Sequence, residues 1–593
     1  MKDFLKQTLA VMTGIILITV IMGIVGIISI IGMIASLETT KTPEKNSVMV
    51  INLEGSLEER VETSDIIGML GGGGLTEETG LDDLLSAIAK AKTDDNIRGI
   101  YLRAGVFTAD SYASMAAVRN ALTDFRHSGK WIVAYGDTYT QGTYYICSAA
   151  DKVLVNPQGM IDWHGLASQT VYVRDLLAKA GIRMQLSKVG RYKSAPDMFT
   201  SDKMSDNDRE QITAYVNGIW NDICADVSAD RNIAVDSLNA MADGMIVFAD
   251  ADEYVRRHLA DTLVYACDVD DYIKRMMDIG TDDDLNTIDL ADMAGVKGSK
   301  PAGGEIAVYY ACGNIVDNDE QSGLSSGGTV INARRVCDDL LRLADDDDVK
   351  AVVMRVNSGG GSAYASEQIW NAVTRLKAKK PVVVSMGGAA ASGGYYISCA
   401  ADRIVAEPVT LTGSIGIFGM FPDFSELLTD KLGLRFDGVH TNRHSDFGTM
   451  ARPFNDEEMA YINAYIERGY GLFVRRVADG RGMTAEQVDS IAQGRVWTGR
   501  DALGINLVDR LGGLDDAVAE AASLAHIDEW HTVSYPDKED WLDVLLRGMT
   551  ADSYADARMR TVLGDCYRPL MLIMTLRNAN PVQARMPYII NIR

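Results

Sequence analysis

The chain has 593 residues, 47% of them apolar and 23% charged, so it is too long for one domain and has ample material for a buried core. Its formal net charge is −25, with 82 Asp and Glu against 57 Lys and Arg. Such a surface repels a phosphate backbone, which excludes nucleic acid as a partner. Seven cysteines without CxxC spacing and seven histidines without ligand spacing favour buried small hydrophobes over a disulfide framework or a metal site, and no metal or cofactor is expected.

At the N-terminus, Leu9 to Leu37 is free of charge and rich in Ile, Val, Met and Gly. A helix over that run, at about 1.5 Å per residue, exceeds the roughly 30 Å hydrocarbon core of a bilayer. The run is longer than a signal-peptide core and no A-x-A-like site follows it, which predicts a transmembrane anchor. Lys2 and Lys6 precede the run and place the N-terminus in the cytoplasm by the positive-inside rule. The rest of the chain is then expected on the extracytoplasmic side.

From Ser47 onward, strand and helix patterns alternate. Val48–Leu53, Arg98–Arg103 and Trp131–Tyr135 read as strands, Leu81–Ala91 and Tyr112–Phe125 as helices, and Gly68–Gly74 as a loop. That alternation predicts a parallel sheet with crossover helices. The pattern then recurs. Tyr144-Tyr145-Ile146-Cys147-Ser148-Ala149-Ala150-Asp151 matches Tyr395-Tyr396-Ile397-Ser398-Cys399-Ala400-Ala401-Asp402 at an offset of 251 (402 − 151). The stretch Asp95 to Arg103 matches Asp347 to Arg355 at 252 (355 − 103), and Val48–Gly55 resembles Ile306–Gly313. Two copies of one αβ unit are fused in tandem. The expected boundaries are 1–46 for the anchor, 47–300 and 301–536 for the repeats, and 537–593 for a C-terminal tail. The Ala291–Gly304 segment is the expected connection. In the tail, Leu570–Leu576 is apolar but too short to span a bilayer.

The chemistry is expected where the copies differ. The stretch Ser385 to Tyr396 joins an apolar strand, Pro381–Val384, to a small-residue helix, Tyr395–Ala401, and it carries Ser392 between Ala391 and Gly393. A serine at such a junction can expose its hydroxyl beside backbone N–H groups. Its first-copy counterpart is Gln141 (392 − 251), which cannot attack a carbonyl. The glycine-rich turn Asn357-Ser358-Gly359-Gly360-Gly361-Ser362 likewise has no equivalent in Ala104-Gly105-Val106-Phe107-Thr108. A nucleophilic serine needs a base, yet no His–Asp pair and no G-x-S-x-G motif accompany Ser392. A lysine can serve, because burial lowers its pKa. Between Lys431 and Lys538 the second copy has none, whereas the first offers Lys193 in Gly190-Arg191-Tyr192-Lys193-Ser194-Ala195. Local sequence alone favours a solvated surface lysine at that position. The complementary losses point to one composite site, with the base from one copy and the nucleophile from the other.

These residues resemble the long, membrane-anchored form of the signal peptide peptidase A family, Ser/Lys proteases of the Clp-protease/crotonase-like fold. The resemblance spans nearly the whole chain through G-R-Y-K-S-A, V-N-S-G-G-G-S, S-M-G-G-x-A-A-S-G-G-Y-Y and L-T-G-S-I-G-I-F-G. It implies Ser392 as nucleophile, Lys193 as general base and Ser414 as the residue that orients the lysine amine. It also implies an oxyanion hole from the N–H groups of Gly393 and of Gly360 or Gly361. Many relatives carry Pro where this chain has Gly359, which leaves the second donor open. Further implications are membrane-embedded signal peptides as substrates, location in the cytoplasmic (inner) membrane with catalytic domains on the periplasmic side, and a homo-oligomer, with a tetramer suspected. The stretches Glu457–Ala478 and Asp208–Val227 are candidate subunit contacts, or equally cover for the sheet. Two other readings of the residues are a crotonase-type acyl-CoA enzyme and a non-catalytic membrane scaffold.

Overall fold

The computed structural model describes residues 41–61, 78–280, 282–296, 302–317, 329–538 and 581–586, with short helical pieces between 12 and 25. Most of Leu9–Leu37, and all of Gly68–Gly74 and Leu570–Leu576, lie outside these residues. Among the described residues no helix is long and apolar enough to cross a membrane.

The strands in chain order are β1 (Ser47–Glu58), β2 (Glu78–Gly80), β3 (Ile97–Ala109), β4 (Trp131–Tyr139), β5 (Lys152–Ile161), β6 (Arg183–Lys188), β7 (Thr262–Leu263) and β8 (Thr287–Asp289). The second half continues with β9 (Gly304–Cys312), β10 (Asn314–Val316), β11 (Val330–Asn332), β12 (Val349–Ser358), β13 (Gly360–Ser362), β14 (Val382–Ala391) and β15 (Arg403–Ala406). The last are β16 (Leu411–Gly413), β17 (Phe418–Asp423), β18 (Val496–Thr498), β19 (Arg510–Leu511), β20 (Trp530–Tyr535) and β21 (Val582–Arg585). The expected strands and helices are all present, mostly longer than their apolar runs suggest. The Pro381–Val384 run, for instance, extends to Ala391 at the edge of Ser392.

The duplication is visible in strand order. In the first half β8 and β2 pair with one side of β1, followed by β3, β4, β5 and β7, all parallel. In the second, β20, β9, β12, β14, β15 and β19 repeat that arrangement, also parallel. Central strands are buried on both faces, as β12 shows with Ala351 to Val356 all buried, and such strands read as continuous apolar runs. Crossover helices start at sequence-readable caps. Ser111 accepts the Ser114 N–H ahead of Tyr112–Arg126, and Ser362 accepts the Ala365 N–H ahead of Ala363–Lys377. The helix Asp206–Arg231 buries Tyr215, Ile219, Ile223 and Val227, and Asp456–Arg481 buries Ile462, Ile466, Phe473 and Val477. The first packs against β18 of the second repeat and the second against β6 and β17, with Tyr461 and Tyr465 exposed.

The halves are joined by a mixed sheet in the order β11, β10, β13, β21, β17, β6. Within it β6 of the first repeat pairs antiparallel with β17 of the second, from Lys188 opposite Phe418 to Arg183 opposite Asp423. A second link is ionic. Glu59 of the first repeat accepts from Arg355 Nε at 2.5 Å and from Asn357 Nδ2 at 3.2 Å. Arg355 also donates to Ser385 Oγ at 2.9 Å, so the pair braces β12 and β14 just ahead of the glycine-rich turn and of Ser392. Both side chains are almost fully buried, at 3% and 6% exposure. Removing one member leaves a buried charge unpaired, at a cost of about 3–5 kcal/mol. Glu59→Ala should therefore lower the denaturation midpoint well below wild type. Glu59→Met with Arg355→Met should recover most of that loss, and equal midpoints for the single variant and wild type would contradict the bracing role.

Candidate active site

At the end of β14, Ser392 adopts φ 55° and ψ −111°, a conformation that costs an L-residue about 1–3 kcal/mol. Two backbone bonds hold it there. Its N–H donates to Gly413 O, and its carbonyl accepts the Tyr396 N–H at the start of helix Gly393–Ser398, both at 2.8 Å. This tight strand-to-helix turn fixes the direction of the Ser392 hydroxyl, which is fully buried.

Lys193 arrives from the other repeat. It follows β6, which the pairing with β17 carries into the second half. The loop turns at Gly190, where φ is 105°. The Tyr192 N–H then donates to Gln493 O at 2.9 Å, tying the loop to the second repeat. Gly494 closes over Lys193 so tightly that a Cβ there would lie 2.6 Å from the Lys193 Cβ, and only glycine fits. Gln211 supports the loop from behind. Its amide nitrogen donates to Tyr192 O at 3.1 Å, and its oxygen accepts the Val496 N–H at 3.1 Å across the repeat boundary.

The two repeats thus meet at the Lys193 amine. Nζ lies 2.7 Å from Ser392 Oγ, 3.0 Å from Ser414 Oγ and 2.9 Å from Ser414 O. Ser414 is itself held in a left-handed conformation, φ 49°, by its N–H to Arg495 O at 2.6 Å. Lys193, Ser392 and Ser414 have no solvent exposure. Among the described residues no ion pair joins Lys193 to a carboxylate, and burial pulls its pKa well below the ordinary lysine value. Removal from water disfavours the charged form of the amine, and none of its three oxygen neighbours carries a charge to offset that.

The glycine-rich turn adjoins this cluster. Gly360, at φ 98°, passes so close to the helix start that a Cβ on it would fall 2.7 Å from Gly393 N. Its own N–H donates to Ser358 Oγ at 3.1 Å, and Gly361 follows it in β13. A neutral amine, a hydroxyl on a strained turn and adjacent backbone N–H groups are the parts needed for nucleophilic attack on a carbonyl.

In the first repeat the same region is filled. Gln141 Oε1 accepts the N–H groups of His164 (3.0 Å) and Gly165 (2.9 Å), so the side chain closes a loop. Trp163, the counterpart of Ser414 at the same offset, is fully buried and donates Nε1–H to Leu238 O at 3.0 Å. Neither the serine nucleophile nor the Ser414 hydroxyl has a counterpart at these two positions. Among the described residues no cluster of His, Cys, Asp and Glu could hold a metal. Sequence reasoning missed Gly494 and Gln211. A lone glycine in Gln493-Gly494-Arg495 and a glutamine on a helix carry no local signal, and only the contact across repeats gives them a part.

Fold and site together define a serine hydrolase of the Clp-protease-like α/β class with a duplicated domain. The sequence profile of peptidase family S49 matches twice, over residues 124–280 and 374–528, and that of Clp protease matches residues 323–407. Protease 4 of Salmonella typhi is 38% identical over 550 residues, covering 90% of this chain and 87% of its own. Protease 4 of Haemophilus influenzae is 34% identical over 81% of this chain and 79% of its own. The chloroplastic serine protease SPPA of Arabidopsis thaliana is 29% identical, over 82% and 70%. The chain belongs to peptidase family S49 and is a serine protease.

A lysine whose pKa is depressed by folding has a defined effect on stability. Between its folded value and about 10.4, the unfolded chain holds a proton that the folded chain lacks, so stability rises with pH across that window. The wild-type stability minus that of Lys193→Met should rise by up to about 1.4 kcal/mol per pH unit there and level off outside it. Denaturant titrations at several pH values measure this, and a difference independent of pH would show the amine to be charged when folded.

Proposed function

We propose that the chain is a membrane-anchored endopeptidase that cuts peptides with a Ser392/Lys193 dyad, and that its substrates are signal peptides left in the membrane. The observation that carries the dyad is the 2.7 Å contact between Lys193 Nζ and Ser392 Oγ, both fully buried. A neutral amine has two N–H donors and one lone pair. Ser414 supplies two acceptors, its hydroxyl and its carbonyl. That leaves the lone pair for the Ser392 proton.

In this mechanism Ser392 Oγ attacks the peptide carbonyl as Lys193 takes its proton. The oxyanion is received by the N–H groups of Gly393 and the glycine-rich turn, with Gly361 better placed than Gly360, whose N–H is already engaged. Lys193 then protonates the leaving amine, and the same amine activates water to release the acyl-enzyme. The anchor rests on the uncharged Leu9–Leu37 run behind Lys2 and Lys6, which places the repeats outside the cytoplasm. The signal-peptide substrate, the inner-membrane location and the homo-oligomer, a tetramer, rest on the motif resemblance.

Ser392→Ala and Lys193→Ala should each reduce peptide hydrolysis by at least ~10³-fold, by analogy with loss of other catalytic serines and bases. The wild-type kcat/KM should rise with pH as a single group below the ordinary lysine range loses its proton, because only the neutral amine is active. Near-normal hydrolysis by Lys193→Ala would contradict the dyad. A crotonase-type reaction would leave Ser392 unlabelled by a fluorophosphonate, whereas the dyad requires labelling.

A further inference from the structure

A short band of backbone, residues 493–496, runs between the lysine loop of the first repeat and the Ser414 turn of the second. Gln493 O accepts the Tyr192 N–H at 2.9 Å, the Gly494 N–H donates to Ile415 O at 2.8 Å, and Arg495 O accepts the Ser414 N–H at 2.6 Å. Val496 then opens β18 and pairs with Gly413 of β16. Both neighbours of the catalytic amine therefore hang from one strip of main chain. Gln493 sits in it at φ 54°, a conformation that a residue with a side chain adopts rarely, so contacts from outside must hold the strip in place.

The Arg495 side chain supplies such a contact across the repeat boundary. Its guanidinium carbon lies 4.9 Å from the centre of the Tyr192 ring and 4.4 Å from that of the Trp497 ring. Its Nη1 donates to Tyr192 Oη at 3.1 Å and pairs with Glu210 Oε1 at 2.9 Å, while Tyr192 Oη donates to Glu210 Oε2 at 3.1 Å. The Glu210 side chain is 53% exposed, and an ion pair that open to water contributes little. Tyr192 is buried, so the hold lies mainly in the guanidinium on its ring. The buried Arg495 Nε has no hydrogen-bond partner among the described residues, as expected of an arginine kept by ring faces. Arg191 also lies over Tyr192, at 5.1 Å, but it belongs to the same loop. Tyr192 directly precedes Lys193, and Gly494, which closes over Lys193, directly precedes Arg495. Burial is what lowers the pKa of that amine, with no charged group acting on it. Whatever keeps the wall shut therefore governs how readily the neutral form is reached.

We propose that Arg495 is a positioning residue for proteolysis: by clamping Tyr192 across the repeat boundary, it keeps the 493–496 band closed over Lys193 and Ser414. The proposal rests on the Ser392/Lys193 reading. Arg495 acts through Lys193 and Ser414 and not on the substrate, so it bears on turnover and on the protonation of the amine.

The test measures kcat and KM for a fluorogenic peptide across pH on the full-length protein, with denaturation midpoints in parallel. Arg495→Met should lower kcat about 10- to 100-fold, the scale of a small misplacement of reacting groups, and leave KM little changed. The midpoint of its pH–rate profile should move up toward the ordinary lysine value, because water then reaches the ammonium form. Its deficit should narrow as the pH rises past that new midpoint. Arg495→Lys keeps the charge and loses the planar stack, so it should shift the same way by a smaller amount, and it decides the matter if Arg495→Met does not fold. Glu210→Gln should stay within about twofold of wild type, as befits an exposed pair. A Tyr192→Leu/Arg495→Met double variant should lose no more than the worse single variant, since both remove one contact. Wild-type kcat in both Arg495 variants, a lowered kcat with the midpoint unmoved, or losses that multiply in the double variant would each overturn the proposal. Failure of the dyad reads differently, as near-normal hydrolysis by Lys193→Ala.

Discussion

An ammonium group moved from water into a closed pocket without a counter-ion is strongly disfavoured, and a neutral amine is not. The cluster of Lys193, Ser392 and Ser414 is built on that difference. It requires complete burial and oxygen neighbours without charge, and the surrounding structure meets both requirements. Gly494 and Gly416 come within 2.6 and 3.1 Å of the lysine side chain at their Cβ positions, so a larger residue at either would displace the amine. The Ser392 and Ser414 turns both sit at positive φ and are held there by backbone bonds into neighbouring segments. The strain at these turns is offset by the packing of two repeats.

That packing explains why the fold is duplicated and the site is not. One repeat provides a loop and a lysine, and the other a strand end, a serine and glycine N–H groups. In the first repeat the equivalent cleft is closed by Gln141 and Trp163, which stabilise loops and core. The β6–β17 pairing and the Glu59–Arg355 ion pair hold the halves in the register that the 2.7 Å Lys193–Ser392 contact demands. Loss of either link acts on chemistry through geometry, at a distance from the reacting atoms.

Much of this was legible in the chain. The parallel sheets follow from buried runs such as Val349–Val356, and the repeat from the Tyr-Tyr-Ile signature at two positions. Contrast between the copies separated Ser392 from Gln141, whereas the role of Lys193 came from the family resemblance, its local sequence reading as a surface lysine. What stayed hidden depends on long-range pairing. The end of β14 at Ala391 is obscured by glycines and alanines, which carry weak strand propensity. The choice between Gly360 and Gly361 turns on one hydrogen bond to Ser358 Oγ. The insertion of Val582–Arg585 between β13 and β17 joins residues more than two hundred positions apart on one side, and a four-residue strand has no periodicity to announce it.

The central claim is that burial lowers the pKa of Lys193 and that its neutral form activates Ser392. The rate of Ser392 phosphonylation by a fluorophosphonate, measured across pH in wild type and Lys193→Met, tests it directly. The account predicts a wild-type rate that rises through one ionisation well below the ordinary lysine value, and a slow, pH-independent rate in Lys193→Met. A wild-type rate that follows an ordinary lysine pKa, or one unaffected by Lys193→Met, would contradict it.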